Sequence, residues 1–311
     1  MPQTRFKELL GIYQQALRHY CSKLGWNYSK FTTSISDEGI SHPDLYLEDP
    51  NIDIIERLTQ FLDPTNQSSV FIIWDDVGMG KSSIRDFVSR SLNELNNYHT
   101  VLITDPRLTS LQILRLIAQE IDAESVTWND RGKVKNALWG RLWEIAEKGI
   151  NLIVWVDEAE KITKEIISEL RALSDLKTED GAKACKLILS GTPSLMQKIE
   201  RYVKSDPEDA AAFEDRASLN TFRLNKWSSV DIYNYWGLLA DYCGGANPFS
   251  RDAAETILQI SDGKPRTVAQ LTKLSFHIKA LELLDGKSAD MEINSEHILK
   301  ALREQLSEEN A

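Results

Sequence analysis

Short apolar runs alternate with helically spaced apolar residues through the middle of the chain. The runs that indicate strands lie at 70–74, 101–104, 150–156, 186–190 and 219–224. Before and between them, apolar positions that recur every three or four residues predict helices at about 50–62, 82–95, 108–122, 133–148, 163–174 and 194–203. Apolar strands that alternate with helices are typical of a parallel sheet covered by helices on both faces. We therefore expect an α/β core over residues 47–224.

The two ends of the chain show a different pattern, in which helical spacing dominates. After about residue 225, four helical stretches follow Ser or Gly-Lys-Pro start signals, which predicts a small all-α domain over 225–311. Before the core, apolar positions predict a helix at 5–24, and a polar stretch at 27–50 indicates a loop. We interpret residues 1–46 as an N-terminal helical segment and as a candidate for docking a partner.

A glycine-containing loop follows the first core strand. Residues 75–82 are Asp-Asp-Val-Gly-Met-Gly-Lys-Ser, and they open a helix. Small residues let backbone N–H groups surround phosphates, Lys81 adds a point charge, and the Ser82 hydroxyl suits magnesium. The residues expected to bind a nucleoside triphosphate are Val77, Gly78, Met79, Gly80, Lys81, Ser82 and Ser83. Asp75 stands where the usual G-x-x-x-x-G-K-[ST] pattern has its first glycine, which weakens the match without excluding it, because Asp tolerates tight turns.

A pair of carboxylates follows another apolar strand, at 150–156. Asp157 at the strand end is suited to hold magnesium with Ser82, directly or through water, and Glu158 is suited to polarise the attacking water. The loop and the acidic pair lie about 75 residues apart, each at a predicted strand end, and together they indicate an ATP-hydrolysing site. The alternative is an unrelated Gly-Lys-Ser turn and a surface Asp-Glu pair.

A third strand end contributes hydroxyl groups. The strand at 186–190 runs into Ser190-Gly191-Thr192-Pro193. A hydroxyl between the two motifs is placed to orient the lytic water, with Thr192 the first candidate and Ser190 the second. The alternative for either residue is an ordinary strand-end turn.

Five segments of the chain carry a resemblance to a known family. They are Leu47 to Leu58, the loop at 75–83, Val-Asp-Glu-Ala-Glu at 156–160, Leu-Ser-Gly-Thr-Pro at 189–193 and Gly-Lys-Pro-Arg at 263–266. With these motifs the chain resembles AAA+ ATPases, and within them the group of ExeA-like ATPases, TnsC/TniB transposition regulators and origin-recognition initiators. The resemblance covers about residues 47 to 305, and it implies a P-loop AAA+ core, a helical lid domain, and ATP and Mg²⁺ as ligands.

The resemblance also implies roles for two arginines. Arg266 resembles the second sensor, a lid arginine that reaches the γ-phosphate of its own subunit, which suits a guanidinium group. Arg216 is similar to the arginine finger that enters a neighbouring subunit's site, with Arg201 as the competing candidate. The segment at 47–55 resembles the one that packs on adenine. The alternatives are a solvated arginine at 266 and, for Arg216, an ion pair with a neighbouring acid.

An arginine finger implies sites shared between subunits, and therefore an ATP-dependent homo-oligomer, a ring or a filament. Such assemblies in this group commonly track nucleic acid, and in initiator-like members an extra helix between the second and third strands faces DNA. The residues in that region expected to contact double-stranded DNA are Arg131, Lys133, Lys135 and Arg141. The alternative is a solvated helix face balanced by Glu144 and Glu147.

Charge qualifies the expectation of DNA binding. The 311 residues carry a net charge of −11, which argues against a freestanding nucleic-acid binder but allows a local basic surface. The apolar runs are too short to span a bilayer, and the N-terminus lacks the apolar core of a signal peptide. Three widely spaced cysteines form no metal pattern. We therefore expect a cytoplasmic protein with reduced thiols.

Among the members of this group, we favour the compact transposition regulator. The last predicted helix, at about 295–306, leaves no room for the winged-helix domain of origin initiators. A regulator needs a nucleotide-gated, sequence-independent grip on DNA and takes its target from a partner such as a transposase or target selector. One alternative is a nucleotide-switched signalling or scaffold ATPase that acts on protein partners without nucleic acid. An ExeA-like secretion ATPase is disfavoured, since no membrane segment is predicted.

Overall fold

The structure, a computed structural model, describes residues 2–36, 39–40, 42–123, 129–179, 181–205 and 219–309. The chain divides into two compact units. One, called here the helical unit, comprises Met1–Pro50, Gly78–Ser83 and Asn225–Ala311. The other, called here the sheet unit, comprises Asn51–Val77 and Ile84–Leu224.

The sheet unit is built around parallel strands. In the described part of the chain they are β3 Val70–Trp74, β4 Tyr98–Ile103, β5 Asn151–Val156, β6 Cys185–Gly191 and β7 Thr221–Arg223. Their order across the sheet is β4-β5-β6-β3-β7, and every neighbouring pair is parallel. The expectation of a parallel sheet is confirmed. Because the strands are parallel, their carboxyl ends share one edge of the sheet, where Trp74 pairs with both Gly191 and Arg223.

Helices flank this sheet, as the apolar periodicity predicts. They are α3 Ile52–Leu62, α4 Lys81–Asn93, α5 Ser110–Glu120, α6 Arg131–Glu147, α7 Lys164–Ser174 and α8 Pro193–Ser205, with the first residues of α4 assigned to the helical unit. All seven residues of β6 are buried, and so are all residues of β5 except Asn151. Apolar strands of this kind are stable when they are covered on both faces. The sheet therefore forms the centre of the core of this unit.

A buried lysine links β6 to the end of α3. Lys186 is 1% exposed, and its amine donates hydrogen bonds to the backbone carbonyl oxygens of Phe61 and, at 2.6 Å, of Asp63. The last carbonyls of a helix have no partner within the helix, so the amine satisfies groups that are otherwise unpaired. Burial lowers the pKa of this amine to about 8.

The helical unit combines the N-terminal segment with the C-terminal helices. Its elements are α1 Pro2–Leu24, α2 Tyr28–Ser34, β1 Ile35–Ser36, β2 Gly39–Ile40, α9 Ser229–Cys243, α10 Arg251–Ser261, α11 Pro265–Leu284 and α12 Ser295–Glu309. Aromatic rings from the two ends of the chain meet in its core. The ring centroid of Phe276 lies 4.1 Å from that of Phe31, 4.6 Å from Tyr20 and 5.1 Å from Trp26. The four helices expected after residue 225 are thus present together with the N-terminal segment.

Residues 1–46 contain α1, which forms part of the helical unit, and their role in docking a partner stays a prediction. One face of α1, including Tyr20 and Leu24, is buried in the core of the helical unit. The interpretation of 27–50 as loop is wrong in part, because α2 and the β1–β2 hairpin lie there. Asn27 caps α2 by accepting a hydrogen bond from Lys30 N at 3.1 Å, and Phe31 anchors it. The Ser and Thr residues on the rest of α2 hide this pattern in the sequence.

Within the described residues, the structure contains no helix that is long and apolar enough to cross a bilayer. The three cysteines, Cys21, Cys185 and Cys243, are buried as free thiols.

Candidate functional site

The loop between β3 and α4 has the backbone of a phosphate-binding turn. Gly78 and Gly80 adopt φ angles of +88° and +96°, in the left-handed region that favours glycine. Backbone segments that include such left-handed positions form concave nests of N–H groups that bind anions. Lys81, which is half-buried, and Ser82 then begin α4. In the same loop Val77 is 62% exposed and Met79 is buried.

Within the helical unit, the loop lies beside Arg266. The backbone N–H of Arg266, the second residue of α11, donates to the carbonyl oxygen of Gly78 at 3.1 Å. A Cβ atom added at Gly78 would lie 3.1 Å from the Cβ of Arg266, which is a tight contact. The structure thus brings together a loop glycine and the arginine that the sequence analysis singled out as the second sensor.

In the sheet unit, Asp157 follows β5 and is held on both carboxylate oxygens. Its Oδ1 accepts hydrogen bonds from the Ser190 hydroxyl at 2.7 Å and from the Glu158 backbone N–H at 3.0 Å. Its Oδ2 accepts from the Arg85 guanidinium group. The indole N–H of Trp155, which is fully buried, donates to the Ser190 oxygen at 2.9 Å and so orients that hydroxyl. Asp157 is therefore held by three donors, of which the Ser190 hydroxyl is buried and is itself oriented by Trp155.

Glu158 has a strained backbone. Its φ and ψ angles of 49° and 38° lie in the left-handed region, which is uncommon for a residue other than glycine. Its carboxylate forms an ion pair with Lys161, and 48% of its side chain is exposed. The pKa of nearby Arg107 is raised, chiefly by its hydrogen bond with Asp105, and the charge of Glu158 adds to this effect. Strain of this type persists where the surrounding structure enforces it, often at functional sites.

The two hydroxyls considered for orienting water differ in accessibility. Ser190 is fully buried, and its hydroxyl is committed to Asp157 and Trp155. Thr192 is only partly buried; its backbone N–H donates to Glu160 Oε2 at 3.1 Å, and its hydroxyl lies 2.7 Å from that of Ser194. Ser190 thus positions a carboxylate, whereas Thr192 keeps a hydroxyl at the surface. The sequence pattern does not separate these two roles.

Sequence reasoning missed two arginines beside this edge of the sheet. Arg85, on α4, pairs with Asp157, and the side chains of the two residues are 14% and 8% exposed. Arg223, the last residue of β7, pairs with Asp75, which is 2% exposed. Each pair joins residues far apart in sequence, so the sequence does not indicate the pairing. It shows only a basic residue one helical turn after Lys81 and another at a strand end.

The cations expected to contact DNA are largely engaged within the protein. Arg131 and Lys135 both pair with Glu169 of α7, the lysine at 3.2 Å. Arg141 donates to the carbonyl oxygen of Ile121 at 2.9 Å and to Glu144 at 3.1 Å. Lys133 is exposed on the first turn of α6. DNA contact by these four residues stays a prediction.

The two candidates for the arginine finger are placed differently. Arg216 lies outside the described residues, so its role also stays a prediction. Arg201, the competing candidate, is exposed on α8.

The donor groups fit the ligands that the sequence analysis expects. The Asp157 carboxylate and the Ser82 hydroxyl are oxygen donors of the kind that Mg²⁺ takes. Asp157 Oδ2 already faces a cation, the Arg85 guanidinium group. The positive-φ loop that leads into a helix N-terminus is the backbone arrangement that receives phosphate.

The sheet order, the loop after β3 and the flanking helices define the AAA+ ATPase fold. In agreement with this, residues 65–199 match the family model of the AAA domain. No curated protein sequence matches the chain.

Solved structures with this fold include ORC and Cdc6 proteins. The chain resembles the ORC2 protein of Aeropyrum pernix in ADPNP-ADP complexes, with 16% identity, a TM-score of 0.58, and coverage of 82% of this chain and 67% of that one. It resembles Cdc6p from Pyrobaculum aerophilum with 15% identity, a TM-score of 0.62, and coverage of 89% and 71%. It resembles Drosophila ORC bound to DNA with 16% identity and a TM-score of 0.58, and the match covers 89% of this chain and 66% of that one. At these identities the likeness shows the fold alone.

Proposed function

We propose that this protein is an ATPase that binds ATP with Mg²⁺ and hydrolyses it to ADP and phosphate. The observation that carries the proposal is the loop in which Gly78 and Gly80 take positive φ angles directly before α4 begins at Lys81. A helix N-terminus preceded by such a turn favours a phosphate group. The AAA domain match and the likeness to Aeropyrum pernix ORC2, solved with ADPNP and ADP, support the same function.

Phosphate binding is assigned to the loop after β3 and the first turn of α4. The residues assigned to bind them are Val77, Gly78, Met79, Gly80, Lys81, Ser82 and Ser83. Lys81 supplies a positive point charge, and Arg266, whose N–H bonds to Gly78, is assigned to the γ-phosphate. Ser82 and Asp157 are assigned to magnesium, which when bound neutralises charge on the phosphate oxygens.

The assignment of the attacking water rests on two residues of the sheet unit. Glu158 is assigned as the group that polarises this water, and its half-exposed carboxylate supports that role. Thr192 is assigned to orient the water, because its hydroxyl is accessible whereas that of Ser190 is committed. Arg216 is assigned to a neighbouring subunit's site, so that ATP favours a homo-oligomer.

The ATPase proposal is tested with two substitutions and a control. Lys81→Ala should lose binding of a fluorescent ATP analogue, since the positive charge at the phosphates is removed. Glu158→Gln should keep binding and lose phosphate release, because the amide is a poor base. Lys23→Ala, on the exposed part of α1, is the matched control and should behave as wild type. Wild-type binding by Lys81→Ala would contradict the assignment.

For the output, we propose that the ATP-bound protein assembles as a ring or filament on double-stranded DNA and acts as a transposition regulator with a transposase or target selector. The resemblance to TnsC/TniB regulators supports this, as does the fold shared with Drosophila ORC, which was solved bound to DNA. The test is a gel shift with duplex DNA at about 50 mM salt, where phosphate contacts are strong. A shift that requires a non-hydrolysable ATP analogue is expected; its absence would refute DNA binding.

A nucleotide-switched scaffold that acts on protein partners is the second candidate. The net charge of −11 favours it, and so do the internal ion pairs of Arg131 and Lys135. It predicts ATP-dependent assembly, measured by light scattering, that duplex DNA neither promotes nor inhibits. Electron microscopy with the analogue, with and without DNA, distinguishes the two candidates.

A further inference from the structure

Asp75 occupies the position of the first glycine in the phosphate-loop pattern, yet nothing in its backbone requires glycine. Among the described residues other than glycine, positive φ angles occur at Asp122, Glu158 and Asp262 and not at Asp75. The Asp75 N–H donates to the carbonyl oxygen of Gly191 at 3.1 Å, and its Oδ1 accepts from the N–H of Asp76 at 2.6 Å. Asp75 is therefore tied to the end of β6 through its backbone and to the next residue of the loop through its side chain.

This arrangement places a negative charge where the loop should attract anions. Asp75 is 2% exposed, and a buried carboxylate is stable only when it is hydrogen-bonded and paired. At the start of a phosphate-binding loop, an uncompensated carboxylate would also repel the phosphates. A phosphate-binding loop that contains this aspartate therefore requires a cation beside it.

Arg223 is that cation. In the register of β3 with β7 it lies directly beside Trp74, the residue before Asp75. Its Nε donates to Asp75 Oδ2 at 3.3 Å and its Nη2 donates to Oδ1 at 3.4 Å, so the planar guanidinium group meets both carboxylate oxygens. The guanidinium carbon lies 5.4 Å from the centre of the Trp74 ring, which supports this orientation by a cation–π contact.

We propose that Arg223 is a positioning residue for nucleotide binding, which neutralises and orients Asp75 so that an aspartate can serve in place of the first glycine of the loop. This inference rests on the proposed ATP binding. Arg223 acts through Asp75: its removal leaves the buried Asp75 carboxylate without this cation, which raises the Kd more for nucleotides of higher negative charge. Removal of the Asp75 charge then makes Arg223 dispensable.

The test is a double-mutant cycle on the full chain, with Kd measured by calorimetry for ATP and for AMP. Arg223→Met should raise the Kd for ATP on the order of tenfold, equivalent to about 1.4 kcal/mol, and the Kd for AMP by less. Arg223→Lys, which keeps a charge but not the two-point geometry, should recover part of the affinity. In the Arg223→Met background, Asp75→Asn should restore the ATP affinity, because the amide oxygen can still accept from the N–H of Asp76 without a charge.

The controls separate this inference from the function on which it rests. Arg90→Met, at an exposed position of α4, should bind ATP as wild type does. Thermal melts of every variant verify folding, and the half-exposed Arg223 side chain makes Arg223→Lys a mild change. Unchanged ATP affinity in Arg223→Met, or a loss that Asp75→Asn does not restore, would overturn the inference while ATP binding by wild type stands. If wild type and Lys81→Ala both fail to bind ATP, the proposed function itself is wrong.

Discussion

Arg85 is expected to balance the charge of Asp157, and its removal tests how the candidate magnesium ligand is held. The side chains are 14% and 8% exposed, so the pair is largely buried. Removing one partner of a buried ion pair costs about 3–5 kcal/mol. In Arg85→Met, Asp157 keeps the hydrogen bonds from Ser190 and from the N–H of Glu158, so the low end, about 3 kcal/mol, is expected. For a unit of this size that corresponds to a melting temperature lower by roughly 6–12 °C.

The assay is thermal unfolding followed by circular dichroism without nucleotide, in EDTA and then in MgCl2. Mg²⁺ should raise the melting temperature of Arg85→Met more than that of wild type, because Asp157 Oδ2 no longer faces a guanidinium group. Adding Asp157→Asn to the variant should recover most of the lost stability, because no unpaired charge is then buried. Arg90→Met is the control. If Arg85→Met melts like Arg90→Met, or if the double variant loses the sum of both single effects, the reasoning is refuted.

Two further predictions concern other buried contacts. Lys186→Met should destabilise the protein by about 1–3 kcal/mol at pH 7, because the carbonyls of Phe61 and Asp63 lose their donor. Burial lowers the pKa of Lys186 to about 8 in the folded state, so the unfolded state binds more protons above that pH. The stability of wild type relative to Lys186→Met should therefore rise from about pH 8 toward pH 10 when both are unfolded in urea. Stability curves that stay parallel over this pH range would contradict the prediction. Gly78→Ala should weaken ATP binding, because the φ angle at Gly78 is +88° and the new Cβ would crowd Arg266. The control is Gly140→Ala, where an added Cβ meets nothing within 4 Å. Equal ATP affinities of the two variants would count against the loop assignment.

Much of the fold was predictable because its strands are buried on both faces. The run in β5 has a single polar residue, Asn151 at its start, and the flanking helices show their buried faces at regular spacing. The segment at 27–50 was predicted poorly for the opposite reason. Helix α2 is anchored by few apolar residues, chiefly Phe31, and its remaining Ser and Thr positions resemble a loop.

The candidate site was predictable where one short motif carries the chemistry. The loop residues and the acidic pair Asp157-Glu158 are recognisable from neighbours in sequence. The pairs that balance them were not, because Arg85 meets Asp157 across 72 residues and Arg223 meets Asp75 across 148. The same limit applies to α6, where Arg131 and Lys135 form a basic face in the sequence but share Glu169 in the structure.

The amino-acid sequence by itself determined the alternation of strands and helices, the glycines of the loop and the carboxylates at the strand ends, because each depends on local periodicity or on adjacent residues. The tertiary structure decided which charges are compensated. Strand register sets Arg223 beside Trp74, and folding buries Asp75 and Asp157 against guanidinium groups. The free energy of a buried charge depends on its partner and its exposure, so the role of Asp75 in the loop is determined by the folded structure and not by the sequence motif.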